Sequence, residues 1–172
     1  RINREVRANS LDLLQTSHTL AGIDMALWDL LGRRRGEPVW RLLGHDSSTA
    51  KTPYASQLFG DDPQETLDKG RAQRAAGFRA VKFGWGPYGQ GDAATDAAHI
   101  AAAREGLGQD GILLVDAGTV WVDDVEAAAT RLEALLTHKA TWLEEPFISA
   151  ALGAYSQLAA RAAPLRLAGG EG

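Results

Sequence analysis

The 172-residue chain contains no cysteine, which excludes disulfides, zinc–thiolate sites and thiol nucleophiles. It has no apolar run near the roughly 18 residues that a membrane-spanning helix requires. It also lacks a charged-then-apolar opening of the secretory type, so a cytoplasmic protein with no membrane partner is expected. A basic surplus is missing as well: 18 Lys and Arg stand against 22 Asp and Glu, for a formal net charge of −4. That balance argues against a nucleic-acid partner, which would call for a basic face. The one basic cluster, Arg33, Arg34 and Arg35, directly precedes Gly36, where cations complement the carbonyl end of a helix.

What is present suits a soluble α/β protein. Hydrophobic residues make up 45% of the chain and charged residues 23%, ordinary values for a globular domain with a real core. Residues 11 to 35 carry a helical stripe of Leu14, Leu20, Ile23, Ala26, Leu27, Leu30 and Leu31, stopped by Gly36 and Pro38. "VWRLLG" adds a short turn, and the polar "HDSSTAK" reads as a linker. Strand and helix patterns then alternate. Strands are expected at 52–57, 79–84, 111–118, 140–146 and 165–171. The helices between them open near Asp62, Asp92, Asp123 or Asp124, and Ser149. This order is the signature of parallel βαβ units, either in an open doubly wound sheet or in part of a (β/α)₈ barrel.

In both architectures chemistry gathers at the C-terminal ends of the strands. Those ends carry Lys82, Asp116, Glu144 with Glu145, and Glu171, separated by 34, 28 and 27 residues from Lys82 through Asp116 and Glu144 to Glu171. The near-equal last intervals put each carboxylate at the same place in successive units. A lone Asp after a strand commonly caps a helix, but Asp123 and Asp124 already serve the next helix start. Glu171 between glycines, taken alone, reads as a surface turn. Three converging carboxylates, however, would repel one another and raise their own pKa values unless a cation joined them. A hard divalent ion such as Mg²⁺ resolves this and keeps sites open for substrate oxygens. A surface lysine commonly snorkels to water. Lys82 sits instead at a strand end one unit before Asp116, where it would offset the remaining charge of about −1 and hold a substrate carboxylate oxygen.

With these residues in order, the chain resembles the mandelate racemase and muconate lactonizing enzyme branch of the enolase superfamily. "AGIDMALWDLLGRRRGEPVWRLLG" resembles the helix that joins that family's capping domain to its barrel. "AVKFG" resembles the second barrel strand with its lysine. "LLVDAGTVW", "WLEEPF" and "LAGGEG" resemble the third to fifth strands, each ending in a metal ligand. The resemblance implies residues 1–50 as the helical end of a capping domain with its linker, and 51–172 as the first five strands of the barrel. It implies Mg²⁺ on Asp116, Glu144 and Glu171, and Lys82 near the substrate carboxylate. Glu145 becomes an acid that supports a ligand rather than binding the metal. The implied chemistry is removal of a proton α to a carboxylate, with a metal-stabilised enediolate.

The chain departs from the family where many members have Lys-x-Lys on the second strand. Here the sequence is Lys82-Phe83-Gly84, so that base is missing. His18, His45, His99 and His138 all lie away from the expected strand ends, and the base is expected beyond Gly172. A sugar-acid dehydratase, a carbon–oxygen lyase, is therefore expected, with a racemase or cycloisomerase of the same superfamily as the alternative. The spacing of Gly84, Gly86 and Gly89 in "GWGPYG" also fits a dinucleotide loop. Against that reading, Pro87 intervenes and the next helix opens only near Asp92. Both chain ends read as cuts through a longer protein. The 172 residues alone are expected to be inactive, and exposed sheet edges are expected to favour a homo-oligomer.

Overall fold

A computed structural model describes residues 16–170. The chain forms two compact units, Arg1–Lys51 and Thr52–Gly172. In the first, α1 (Thr16–Arg35) ends on Arg33, Arg34 and Arg35, and a short helix α2 spans Val39–Leu42. Gly36, at φ +65, closes α1 in the left-handed region that glycine adopts without strain. Leu14 of the expected stripe lies outside the described residues. Leu20 is buried, whereas Ile23, Leu27 and Leu30 are about half exposed. A single helix cannot bury its own apolar stripe.

The second unit alternates β1 (Tyr54–Leu58), α3 (Pro63–Ala75), β2 (Ala80–Gly84), α4 (Ala93–Leu107) and β3 (Ile112–Asp116). It continues through α5 (Val125–Ala129), α6 (Leu132–Thr137), β4 (Trp142–Glu144), α7 (Leu152–Ala162) and β5 (Arg166–Ala168). Aspartates open three helices as the sequence suggested. Asp62 accepts from the Glu65 amide, Asp92 from Thr95 and Asp124 from Ala127, and Pro63 occupies the first turn of α3.

All five strands are parallel and paired in sequence order, β1-β2-β3-β4-β5. A doubly wound sheet reverses its order at a switch point. Consecutive order is the winding of a (β/α) barrel, and that resolves the choice between the two architectures. Strand alternation divides the side chains between two faces. Val81, Phe83, Leu113, Val115 and Leu143 are fully buried in a core with Ile100, Leu107, Leu135 and Leu158 from the helices. Each such side chain contributes about 1.5–3 kcal/mol on burial. Lys82, Gly84, Asp116, Trp142 and Glu144 occupy the alternate positions.

The strands are shorter than the sequence pattern suggested because the backbone turns where each leaves the ladder. Thr119 and Glu145 take positive φ angles of 64 and 42. The single helix expected after Asp123 is two helices with a turn between them. The Thr130 hydroxyl and the Arg131 guanidinium both donate to the Ala127 carbonyl, while the Arg131 amide turns to Ala128. Side chains thus take the acceptor that the next turn of an α-helix would use. Arg131 is itself anchored: its Nε donates to the buried Asp96 at 2.8 Å and its Nη2 to the Gly91 carbonyl.

Candidate metal centre

Strand register, more than sequence spacing, assembles the site. Gly84, Asp116, Glu144 and Ala168 are successive register partners across β2 to β5, so the Asp116 and Glu144 carboxylates leave adjacent strands at the same level. Lys82 stands two residues earlier on β2, on the same face as Gly84. Its Nζ donates to Asp116 Oδ2 at 2.8 Å and to Glu144 Oε1 at 2.7 Å. All three side chains are largely buried.

Each carboxylate has one oxygen fixed and one directed at the shared cation. The Gly118 amide donates to Asp116 Oδ1 at 2.9 Å, and the Trp142 indole N–H donates to Glu144 Oε2 at 3.0 Å. Burial works to lower the Lys82 pKa, but the hydrogen bonds and charges of Asp116 and Glu144 outweigh it and hold the ammonium above the ordinary lysine value. The Tyr54 ring lies 5.6 Å from the same nitrogen, a further contact that favours the cation. Lys82 is therefore held as an ammonium between the two carboxylates in this arrangement.

The donor set fits a hard divalent ion. Two oxygen donors, each oriented by its own N–H group, share one cationic partner, and the ammonium occupies that position here. Among the described residues no group of three or more His, Cys, Asp or Glu side chains could hold a metal ion. Glu171, expected as the third ligand, lies outside the described residues. Its neighbour Gly170 donates its amide to Glu145 Oε1 at 3.1 Å, and the Glu145 amide bonds the Ala168 carbonyl. Buried Glu145 thus ties the end of β4 to the segment that leads into Glu171.

Of the two histidines in the second unit, neither is among the partners of Lys82, Asp116 or Glu144. His99 is buried on α4, where its Nδ1 and the Thr66 hydroxyl are 2.9 Å apart, and burial holds its pKa below the ordinary imidazole value. His138 ends α6, and His45 follows α2. The side chain of His18 lies outside those described. Several amides of the glycine loop after β2 already have protein partners. The Trp85 amide meets the Asp116 carbonyl, the Gly89 amide meets Asp96 Oδ1, and the Gln90 amide meets the Pro87 carbonyl. Sequence reasoning did not find the Asp96–Arg131 pair beneath this loop, since both residues lie inside helical patterns 35 positions apart.

Two family models match the chain. One, the enolase C-terminal domain-like family, covers residues 65–172. The other, the mandelate racemase / muconate lactonizing enzyme N-terminal domain, covers residues 1–44. The chain belongs to the enolase superfamily, in its mandelate racemase and muconate lactonizing enzyme branch. It is 37% identical over 131 residues to a 3,6-anhydro-alpha-L-galactonate cycloisomerase of Streptomyces coelicolor, covering 75% of this chain and 34% of that protein. It is 31% identical over 142 residues to an L-talarate/galactarate dehydratase of Salmonella typhimurium, covering 82% and 34%.

Among solved structures, a predicted mandelate racemase from Rhodobacter sphaeroides superposes with a TM-score of 0.88 at 59% identity. That match covers 99% of this chain and 44% of the other. An enolase from Bradyrhizobium, complexed with magnesium and mandelic acid, superposes with a TM-score of 0.81 at 32% identity, covering 98% and 45%. The chain spans about a third of the length of these curated relatives and under half of these solved chains. Enolase-superfamily relatives of this kind are enzymes, and this chain carries the five-stranded part of their barrel fold.

Proposed function

We propose that the protein containing this chain is a Mg²⁺-dependent sugar-acid dehydratase. The observation that carries this reading is the pair Asp116 and Glu144, each oriented by its own hydrogen-bond donor and joined through a single cation. Asp116 and Glu144, with Glu171, would hold the magnesium ion. When bound, that ion would supply Lewis-acid stabilisation of the charge that develops on the substrate carboxylate. Lys82, on the same strand face as these carboxylates, would bind a carboxylate oxygen of the acid. Gly84, on the same strand face, has no side chain to serve as base. We therefore assign the base to chain outside the described residues.

The reaction balances as a β-elimination. The base takes the proton α to the carboxylate, and the C–H electron pair becomes the carbon–carbon double bond of an enol. The β C–O bond breaks with its electron pair going to oxygen, and the proton taken by the base passes to the departing hydroxyl so that it leaves as water. The enol then ketonises to a 2-keto-3-deoxy acid. The named relatives include a cycloisomerase, whose product keeps the elements of water, so product analysis separates the two classes. The test uses the full-length protein with Mg²⁺ and galactarate or D-galactonate in D₂O, followed by NMR. Loss of the α-proton signal with appearance of a 2-keto-3-deoxy product is expected. An unchanged spectrum with both acids overturns the dehydratase reading, and so does an isomer that retains all its hydroxyl oxygens.

A further inference from the structure

Three residues after Lys82, Trp85 combines features that folding alone does not favour. The residue is 61% exposed in this chain, and its φ of 57 lies in the left-handed region. A bulky residue is strained there, and such strain persists where the surrounding structure imposes it. The surroundings do impose it. Tyr88 is buried with its ring stacked on Phe59 at 4.8 Å. Gln90 Nε2 donates to the Gly86 carbonyl at 2.8 Å, Asp96 holds the Gly89 amide, and Arg131 holds the Gly91 carbonyl. The loop from 85 to 92 is thus a braced platform that carries one exposed indole.

The indole is fixed against the acid cluster. A Cβ at Gly118 would lie 3.0 to 3.3 Å from Cε2, Cδ2 and Cζ2 of Trp85. Near-equal distances to three consecutive ring atoms place Gly118 over the ring face and not at its edge. The Gly118 amide is the donor that orients Asp116, and the Trp85 amide approaches the Asp116 carbonyl. One face of the ring therefore rests on the segment that orients Asp116, and the side chain remains largely open at the strand ends.

We propose that Trp85 is a substrate-binding residue that stacks against the carbon backbone of a polyhydroxy acid whose carboxylate meets Lys82. This inference rests on the sugar-acid reading above. The physical basis is the negative face of the indole, which attracts the electropositive C–H groups of a polyol chain, together with the apolar area that contact removes from water. Because the ring touches substrate along its length and not at the reacting carbon, it contributes equally to ground-state and transition-state binding. Its removal should then raise KM more than it lowers kcat.

The test compares Trp85→Ala and Trp85→Phe with the wild-type full-length protein. Galactarate and D-galactonate are titrated calorimetrically in the presence of Mg²⁺, kinetics follow on whichever acid is turned over, and a separate titration uses Mg²⁺ alone. Binding of the acid weakened at least tenfold in Trp85→Ala is expected, with kcat within about threefold, most binding restored in Trp85→Phe, and Mg²⁺ affinity unchanged. Acid binding by Trp85→Ala within twofold of wild type overturns the proposal. A parallel loss of Mg²⁺ affinity also overturns it, because the ring would then only brace Asp116. A wild type that binds either acid without turning it over overturns the dehydratase reading alone. One that binds neither overturns both.

Discussion

At Gly84 the missing side chain and the carboxylate beside it are one feature. A Cβ there would sit 2.8 Å from the Asp116 Cβ and 3.1 Å from its carbonyl oxygen, so any larger residue must displace the strand position that carries Asp116. Lys-x-Lys could not be restored here without moving the acid that the proposed metal uses. Gly84→Ala is expected to cost about 1–3 kcal/mol of stability through overpacking and to weaken Mg²⁺ binding at least tenfold. Thermal melts and calorimetry on the full-length variant check both, and wild-type Mg²⁺ affinity would show that Asp116 accommodates the methyl group. Asp116 and Glu144 were legible in the sequence because each ends a recognisable strand, whereas Lys82 lies in the middle of β2, two residues before the level of the carboxylates. The reason for Gly84 was not legible, since it depends on which residue of β3 faces it.

Elements show where pattern reading stops. The strand–helix alternation was readable because parallel strands are apolar runs and their helices begin at aspartates. The ends of β3, β4 and β5 were set too late, that of β2 was as expected and that of β1 one residue early. After β3 and β4 the turns at Thr119 and Glu145 follow from contacts between neighbouring loops. The break between α5 and α6 was missed for a related reason. Arg131 reads as one more helical residue until Asp96, from another helix, captures it. That ion pair is nearly inaccessible, with side-chain exposures of 8% and 1%, and the Asp96 carboxylate also holds the Gly89 amide. Replacing the cation alone strands a buried charge. Arg131→Met is expected to lose about 3–5 kcal/mol in urea unfolding, with Asp96→Asn/Arg131→Met recovering part of it. A loss below about 1 kcal/mol, the range of exposed pairs, would mean that water screens the pair.

Across the whole molecule, the consecutive parallel strands are one arc of a barrel whose C-terminal strand ends gather the charged residues. The parallel βα alternation was legible, and the family was legible from the Lys82, Asp116, Glu144 and Glu171 segments. The alternation alone fits a doubly wound sheet as well, and the consecutive strand order decides for the barrel. The expected even spacing holds for Asp116 and Glu144, which are register partners. The corresponding position on β5 is Ala168, and Glu145 holds the amide of Gly170, two residues further on. The central claim is that Asp116 and Glu144 form a divalent metal site for which the Lys82 ammonium stands in. Calorimetric titration of the full-length protein with Mg²⁺ tests it most directly, alongside Asp116→Asn and Glu144→Gln variants shown by circular dichroism to be folded. One Mg²⁺ site in the wild type, weakened at least tenfold in each variant, is the result predicted. Wild-type affinity in both folded variants, or no Mg²⁺ binding by the wild type, would contradict it.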